Sequence, residues 1–231
     1  MVSRAFCIPG IVLLFAAFVL SFLTSISLPY LTALDITRTH YGNGLSAPDT
    51  SSNVPTIKEL RFGIWAACVY EADNGHRICG PSKHAYTVTI FDPTNTKDSV
   101  EIASSWTRGL AIHPVATVVT FIAFVLSFSN HVTVTLLSSI VSFLAALLTL
   151  IAFAIDIALY AWVHHEMRKL PGSVNTNTGP GFWLTFVALI LLLLAGCTVC
   201  FGRRRERMSG SSYGNSYQMT PKRRFWPFNR N

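Results

Sequence analysis

Four residues in one polar stretch have the types and spacing to do chemistry together. They are Gly63, Trp65, Cys68 and Cys79 in FGIWAACVYEADNGHRICG, Phe62 to Gly80. The chemistry is thiol oxidation. In an oxidising compartment Cys68 and Cys79 close a small loop over the Trp65 indole, stapling a domain too small to hold itself together otherwise. In the chain-entropy picture such a loop closure stabilises by on the order of 3 kcal/mol. Two unpaired buried thiols are the other reading.

The remaining reactive side chains form no catalytic constellation. The sequence has no phosphate-cradling glycine loop, no nucleophile elbow and no zinc-ligand spacing. His164, His165 and Glu166 are adjacent and not spaced along one helix face, so neither a metal nor a cofactor is expected. Cys197 and Cys200 have a redox spacing, but they sit in an apolar run without a βαβ context. For these two and for Cys7 the readings are S-acylation or plain apolar packing. His40, His76, His84, His164 and His165 are expected outside a membrane and His113 at its outer interface. Imidazoles titrate between pH 5 and 8, yet nothing in their spacing assigns proton sensing to any of them. An enzyme is not expected.

Asp156 is the one ionisable group deep in an apolar run, and such residues are functional candidates by default. With that run ending near Tyr160, Asp156 is expected one turn from the outer interface, bonded to a neighbouring helix or to the loop sheet. Ion conduction is the rival reading, but no Arg or Lys partner and no broken helix pair accompany it.

The elements that must position these groups are membrane spans. The chain is 51% hydrophobic and only 13% charged, against about 25% charged in soluble domains. Four apolar runs, at about 8–28, 111–128, 132–160 and 181–201, are long enough to cross a hydrocarbon core of about 30 Å. A cleaved signal peptide is the rival reading of the first, but its apolar core is longer than a signal's. The formal charge of +7 resides in the segment after Gly202, which argues for a topology signal over nucleic-acid binding. Arg203, Arg204, Arg205 and Arg207 abut the fourth span, so both termini are expected in the cytoplasm, with 29–109 and 162–180 outside. Ser129-Asn130-His131 is then a tight inner turn. Cys68 and Cys79 fall outside, whereas Cys7, Cys197 and Cys200 fall near inner span ends, where thiols stay reduced.

Within the outer loop, Thr37 to Pro55 is rich in Gly, Ser, Asn and Pro and reads as a mobile insertion. Leu60 to Tyr70, Ala85 to Phe91 and Val100 to Ile102 alternate well enough for strands of a small antiparallel sheet. Small residues recur every fourth position at Ala17, Ser21 and Ser25, and at Ser138, Ser142 and Ala146. Such stripes let helices approach closely, within one bundle or across a dimer face. Residues 208–231 read as a short, basic, disordered tail. Its clusters, Arg203–Arg207 and Lys222–Arg224 with Phe225, Trp226 and Phe228, suit an anionic inner leaflet or a cytosolic partner. The fold expected is thus an all-α membrane bundle of four spans with a disulfide-pinned sheet in its first loop, domain limits 1–207.

Gly63-x-Trp65-x-x-Cys68 with Cys79 resembles the first-loop signature of claudin-type four-span proteins. TRGLAIHPVATVVTFIAFVLSF (Thr107 to Phe128), LLTLIAFAIDIALY (Leu147 to Tyr160) and GFWLTFVALILLLLAGCTVCFGRRR (Gly181 to Arg205) resemble a narrower group, the fungal PalI family. The resemblance implies a plasma-membrane protein of the ambient (alkaline) pH response that supports delivery or stability of a seven-span receptor, PalH. Through that receptor it implies arrestin-like and ESCRT components as partners. Known members carry a very long cytoplasmic tail, whereas about thirty residues follow the last span here, so functions lodged in such a tail are not expected to transfer. The alternative is a structural protein of membrane domains or cell-wall contacts that assembles laterally into homo-oligomers. On the accessory-protein reading Gly63, Trp65, Cys68 and Cys79 shape a partner-binding loop, and Arg108 at the mouth of the second span bonds to the sheet or to lipid headgroups.

Overall fold

The computed structural model describes residues 4–45, 56–91, 99–129, 132–169 and 174–213. Backbone in hydrocarbon has no water to bond with and must close its own hydrogen bonds, which the apolar runs do as helices. Helix α1 is Arg4–Tyr30. A short α2, Ser104–Arg108, runs through one 3-10 turn into α3, Ile112–Leu126. Then follow α4, Val132–Met167, and α5, Pro180–Tyr213. The stretches Pro9–Tyr30, Ser104–Leu126, Leu136–Met167 and Pro180–Cys197 are each long and apolar enough to cross a membrane.

The four helices pack as a square, α1 and α4 on one diagonal, each against α3 and α5. Small side chains make this approach possible. Ala17, Ser21, Ser138, Ser142 and Ala146 are all buried, together with Ala123, Ala145 and Ala195. Both small-residue stripes are therefore taken up inside the bundle, with Ser25 only half-buried. Hydroxyls tie the helices further. Thr117 Oγ1 donates to the Ser21 carbonyl at 3.0 Å, and Ser138 Oγ to that of Ala123 at 3.1 Å. Large residues such as Val118, Phe143 and Leu193 face outward, as lipid solvent allows.

Outside the bundle lies an antiparallel sheet of β1 (Thr37–Leu45), β2 (Ile57–Phe62), β3 (Ala67–Glu71), β4 (Arg77–Cys79) and β7 (Val174–Thr178). Its strand order is β4-β3-β2-β1-β7. A separate hairpin of β5 (Val88–Phe91) and β6 (Ser99–Ile102) leads into α2. An all-α label therefore fits the bundle alone.

Several expectations need correction. Thr37–Leu45, read as the start of a mobile insertion, is a central strand. Thr37, Thr39 and Tyr41 alternate inward and are buried, and β1 is paired on both sides. Residues 46–55 lie outside the described set. Leu60 to Tyr70 is two strands, because the chain turns at Gly63–Ala66, where the Gly63 N–H donates to the Ala66 carbonyl at 3.0 Å. The sheet also recruits β7 from the loop between α4 and α5, a pairing invisible to local pattern.

Helix α4 passes Tyr160 and ends at Met167. Its 36 residues span about 54 Å, well beyond the hydrocarbon thickness. The overhang is used. Leu159, Val163 and Met167 complete the core under the sheet with Ile36, Leu60, Phe62, Ile64, Ile102 and Leu110. Trp106 stacks on Trp162 beside it, ring centroids 4.5 Å apart. At the other end, α5 continues as helix through Tyr213, into the segment from 208 that reads as disordered; Arg203 to Met208 are good helix formers. Asn130 and His131 of the inner turn, and the 214–231 segment with Lys222–Arg224, Phe225, Trp226 and Phe228, lie outside the described residues.

Candidate functional site

The Gly63–Cys68 stretch is a clamp on the C-terminal end of α1. Leu28 precedes Pro29, a position pushed towards extended backbone, and helical geometry breaks at Ser27 and Leu28. The groups freed there are taken up by the loop. Trp65 Nε1 donates to the Ser25 carbonyl at 2.8 Å, and the Ile64 N–H donates to Ser27 Oγ at 2.9 Å. Gly63 is required by contact, since a Cβ there would run into the side chain and backbone of Leu28. Tyr86, itself buried, donates its hydroxyl to the Gly63 carbonyl at 2.6 Å, and burial raises its phenol above the usual range. Trp65 is thus turned inward, half-buried, as an anchor.

Cys68 and Cys79 are register partners on β3 and β4 and form a disulfide. Cys68 is fully buried, Cys79 half-buried. Beyond the bridge, the Asp73-Asn74-Gly75-His76-Arg77-Ile78 tip is exposed. Gly75 takes the turn at φ 66, and the Asn74 side chain accepts the His76 N–H at 2.7 Å. Arg77 Nη1 ties the tip back to the Pro29 carbonyl at 3.1 Å. Clamp, bridge and tie hold this edge hairpin rigidly against the membrane end of α1.

On the other side of the sheet lies a charged ladder that sequence reasoning missed. Asp35 is completely buried, and its carboxylate accepts Arg38 Nε at 3.0 Å and Nη2 at 2.7 Å. That hydrogen bond raises the Arg38 pKa and keeps it charged. Glu59 then faces Arg38 at 3.3 Å, His40 at 3.4 Å and Arg61 at 2.8 Å, and Arg61 covers the Tyr70 ring at 4.3 Å. The Asp35 backbone carbonyl accepts the Gly181 N–H at 2.9 Å, and a Cβ on Gly179 would run into it. Asp35 therefore joins the exit of α1 to β1 and to the start of α5. The available signal was an acid close after a span in the same segment as Arg38, but only folding brings Glu59 and Arg61 beside them.

Inside the bundle, His113 Nε2 lies 3.0 Å from Asp156 Oδ1, with side-chain exposures of 4% and 0%. This pair links α3 to α4. Asp156 sits about three turns before the end of α4, which runs on to Met167, and about one turn before Leu159, the first α4 residue buried in the core under the sheet. The second carboxylate oxygen has no hydrogen-bond partner among the described residues. The partner was in the sequence all along, at the mouth of the second apolar run, but 43 residues away.

Other expected residues stay apart. Arg108 is exposed at the end of α2 and forms no ion pair to the sheet among the described residues. Cys197 is an exposed free thiol, and the side chains of Cys7 and Cys200 lie outside the described set. His84 and His165 are exposed, His164 is half-buried near the Tyr160 ring, and His76 lies 4.0 Å from Glu71.

A model of the SUR7/PalI family matches residues 6–200, which take in the clamp, the disulfide, the ladder and the His113–Asp156 pair. The chain is also 27% identical over 236 residues to the pH-response regulator protein palI/prr-5 of Neurospora crassa, an alignment covering 92% of this chain. It covers 29% of that relative, so the chain spans under a third of the relative's length. With the family match extending over most of its length, from the first span to the last, the chain belongs to the SUR7/PalI family.

Proposed function

We propose that this protein is a non-enzymatic accessory of the ambient-pH response in the plasma membrane, supporting delivery or stability of a seven-span pH receptor. One observation carries the reading: similarity to a pH-response regulator across 92% of the chain. The receptor would connect it to arrestin-like and ESCRT components. The arginines after the fourth span support cytoplasmic termini, and the Cys68–Cys79 bridge supports an oxidising, outer location for the sheet. Domain limits of 1–207 and a following basic tail belong to the same proposal.

The geometry suggests how support is given. On this reading Gly63, Trp65 and the disulfide act by holding the exposed Asp73–Ile78 tip in place for a partner. A rigid, pre-formed tip loses little entropy on docking. The test uses a fungal strain lacking this gene and carrying a tagged seven-span receptor. Loss of the receptor from the cell surface, with poor alkaline growth restored by the wild-type gene but not by a Cys68→Ser/Cys79→Ser variant, is the expected result. Normal receptor delivery and normal alkaline growth would overturn it in favour of a lateral organiser of membrane domains, which would then show as large homo-oligomers.

A further inference from the structure

A cleft of 630 Å³ opens where the sheet meets the outer end of α5. Its roof is polar, formed by Arg38 and His40 of β1 and Asn177 of β7; its floor is Pro180, Trp183 and Leu184 of α5. The fourth apolar stretch long enough to span begins at Pro180, so the cleft lies at the end of that stretch, where headgroups meet a span. Trp183, one turn into that span, is 56% exposed, in the setting where indoles lie at headgroup level.

The roof is prepared for a phosphate but not for excess negative charge. Asp35 fixes Arg38 through Nε and Nη2, and Nη1 makes no hydrogen bond or ion pair among the described residues. A guanidinium held in this way offers donors to phosphate oxygens with little further loss of side-chain freedom. Arg38 and Arg61 are balanced by Asp35 and Glu59 in the same ladder. A ligand carrying its own compensating cation is therefore matched, and a polyanion is not. The volume lies in the range of small-ligand sites, enough for a headgroup and glycerol with the acyl chains continuing into the bilayer.

We propose that this cleft binds a zwitterionic glycerophospholipid from the leaflet beside the sheet. Its phosphodiester lies against Arg38, His40 and Asn177, and its glycerol and upper chain lie along Trp183 and Leu184. The proposal is independent of the pH-response reading.

Native mass spectrometry of the full chain, released from detergent with added phosphatidylcholine or phosphatidylglycerol, tests it. The expected result is a discrete species with one phosphatidylcholine bound, in preference to phosphatidylglycerol. Trp183→Ala and His40→Ala should each lower its occupancy about tenfold, in protein whose Cys68–Cys79 bridge is intact. Both side chains are substantially exposed, so neither variant leaves a core void, and Leu184→Trp should block the cleft by filling it. Equal retention by all variants, or no discrete bound species, overturns the site. A preference for phosphatidylglycerol overturns the zwitterion assignment, and displacement by excess inorganic phosphate overturns the lipid in favour of a free anion.

Discussion

The bundle and the sheet are built by opposite rules although one chain runs through both. In the bundle most of the buried contacts are small, with Ala17, Ala123, Ala145, Ala146 and Ala195 beside only a few larger residues such as Leu14 and Leu192, and most large side chains are turned outward. In the sheet the large residues are inside: Phe62, Leu60, Ile36 and Ile102 are essentially inaccessible. Solvent explains the inversion. Lipid gives no hydrophobic drive to helix association, so close backbone approach and interhelical hydrogen bonds must suffice. The sheet faces water and gains by burying bulk, yet is too small to rely on that alone. It adds a disulfide, a charged ladder and the protruding end of α4.

The contrast can be broken hardest in the bundle. His113→Leu leaves the Asp156 carboxylate without its partner among the described residues and should cost on the order of 3 kcal/mol. His113→Leu/Asp156→Leu, which removes both groups, should recover most of that loss. A double-mutant cycle of unfolding in bicelles reads the difference; full additivity would show the pair to be uncoupled. Cys68→Ser/Cys79→Ser should cost the sheet about 3 kcal/mol while leaving the helices intact. Hydrogen exchange would show β3 and β4 amides opening with α3 to α5 still protected, and a uniform loss would mean the two regions fold as one.

Gly63→Ala probes the joint between the regions. Its Cβ meets Leu28 main chain and side chain, which cannot yield cheaply, so about 2 kcal/mol should be lost. Thermal melts in detergent with Trp65 fluorescence as reporter would detect this. Trp65→Phe keeps the ring and removes only the N–H to Ser25, a smaller change of about 1 kcal/mol.

The pH response of stability also separates the two regions. Burial raises the Tyr86 phenol in the folded state. The unfolded phenol ionises near pH 10 and the folded one does not, so the stabilisation is complete below about pH 10 and is lost as pH rises beyond it. Sheet unfolding should therefore steepen above that pH, and Tyr86→Phe should flatten the slope. An unchanged slope would place the alkaline sensitivity elsewhere.

Much of this was legible in sequence, and unevenly so. The spans needed only hydropathy and length, and the bridge only the isolation of Cys68 and Cys79 in a polar segment. The anchor motif was visible, but its direction was not. Trp65 points into the break in α1 because Pro29 frees carbonyls there, a fact set by a residue 36 positions earlier. Arg108, an attractive candidate for its place at a span mouth, makes no ion pair to the sheet among the described residues, whereas Arg38 and Arg61 carry the ladder.

What the sequence determined by itself was which stretches suit lipid and which suit water: four apolar runs, uncharged but for Asp156, a basic flank, and two cysteines in one polar segment. These follow from local composition, since a span must satisfy its backbone internally and can be read from its own residues. Tertiary structure alone decided that Thr37–Leu45 is a central strand, that the loop between α4 and α5 supplies β7, and that Asp156 is met by His113. Each is a contact between segments far apart in the chain, made by the packing of one element on another and leaving no period or spacing in either partner to announce it.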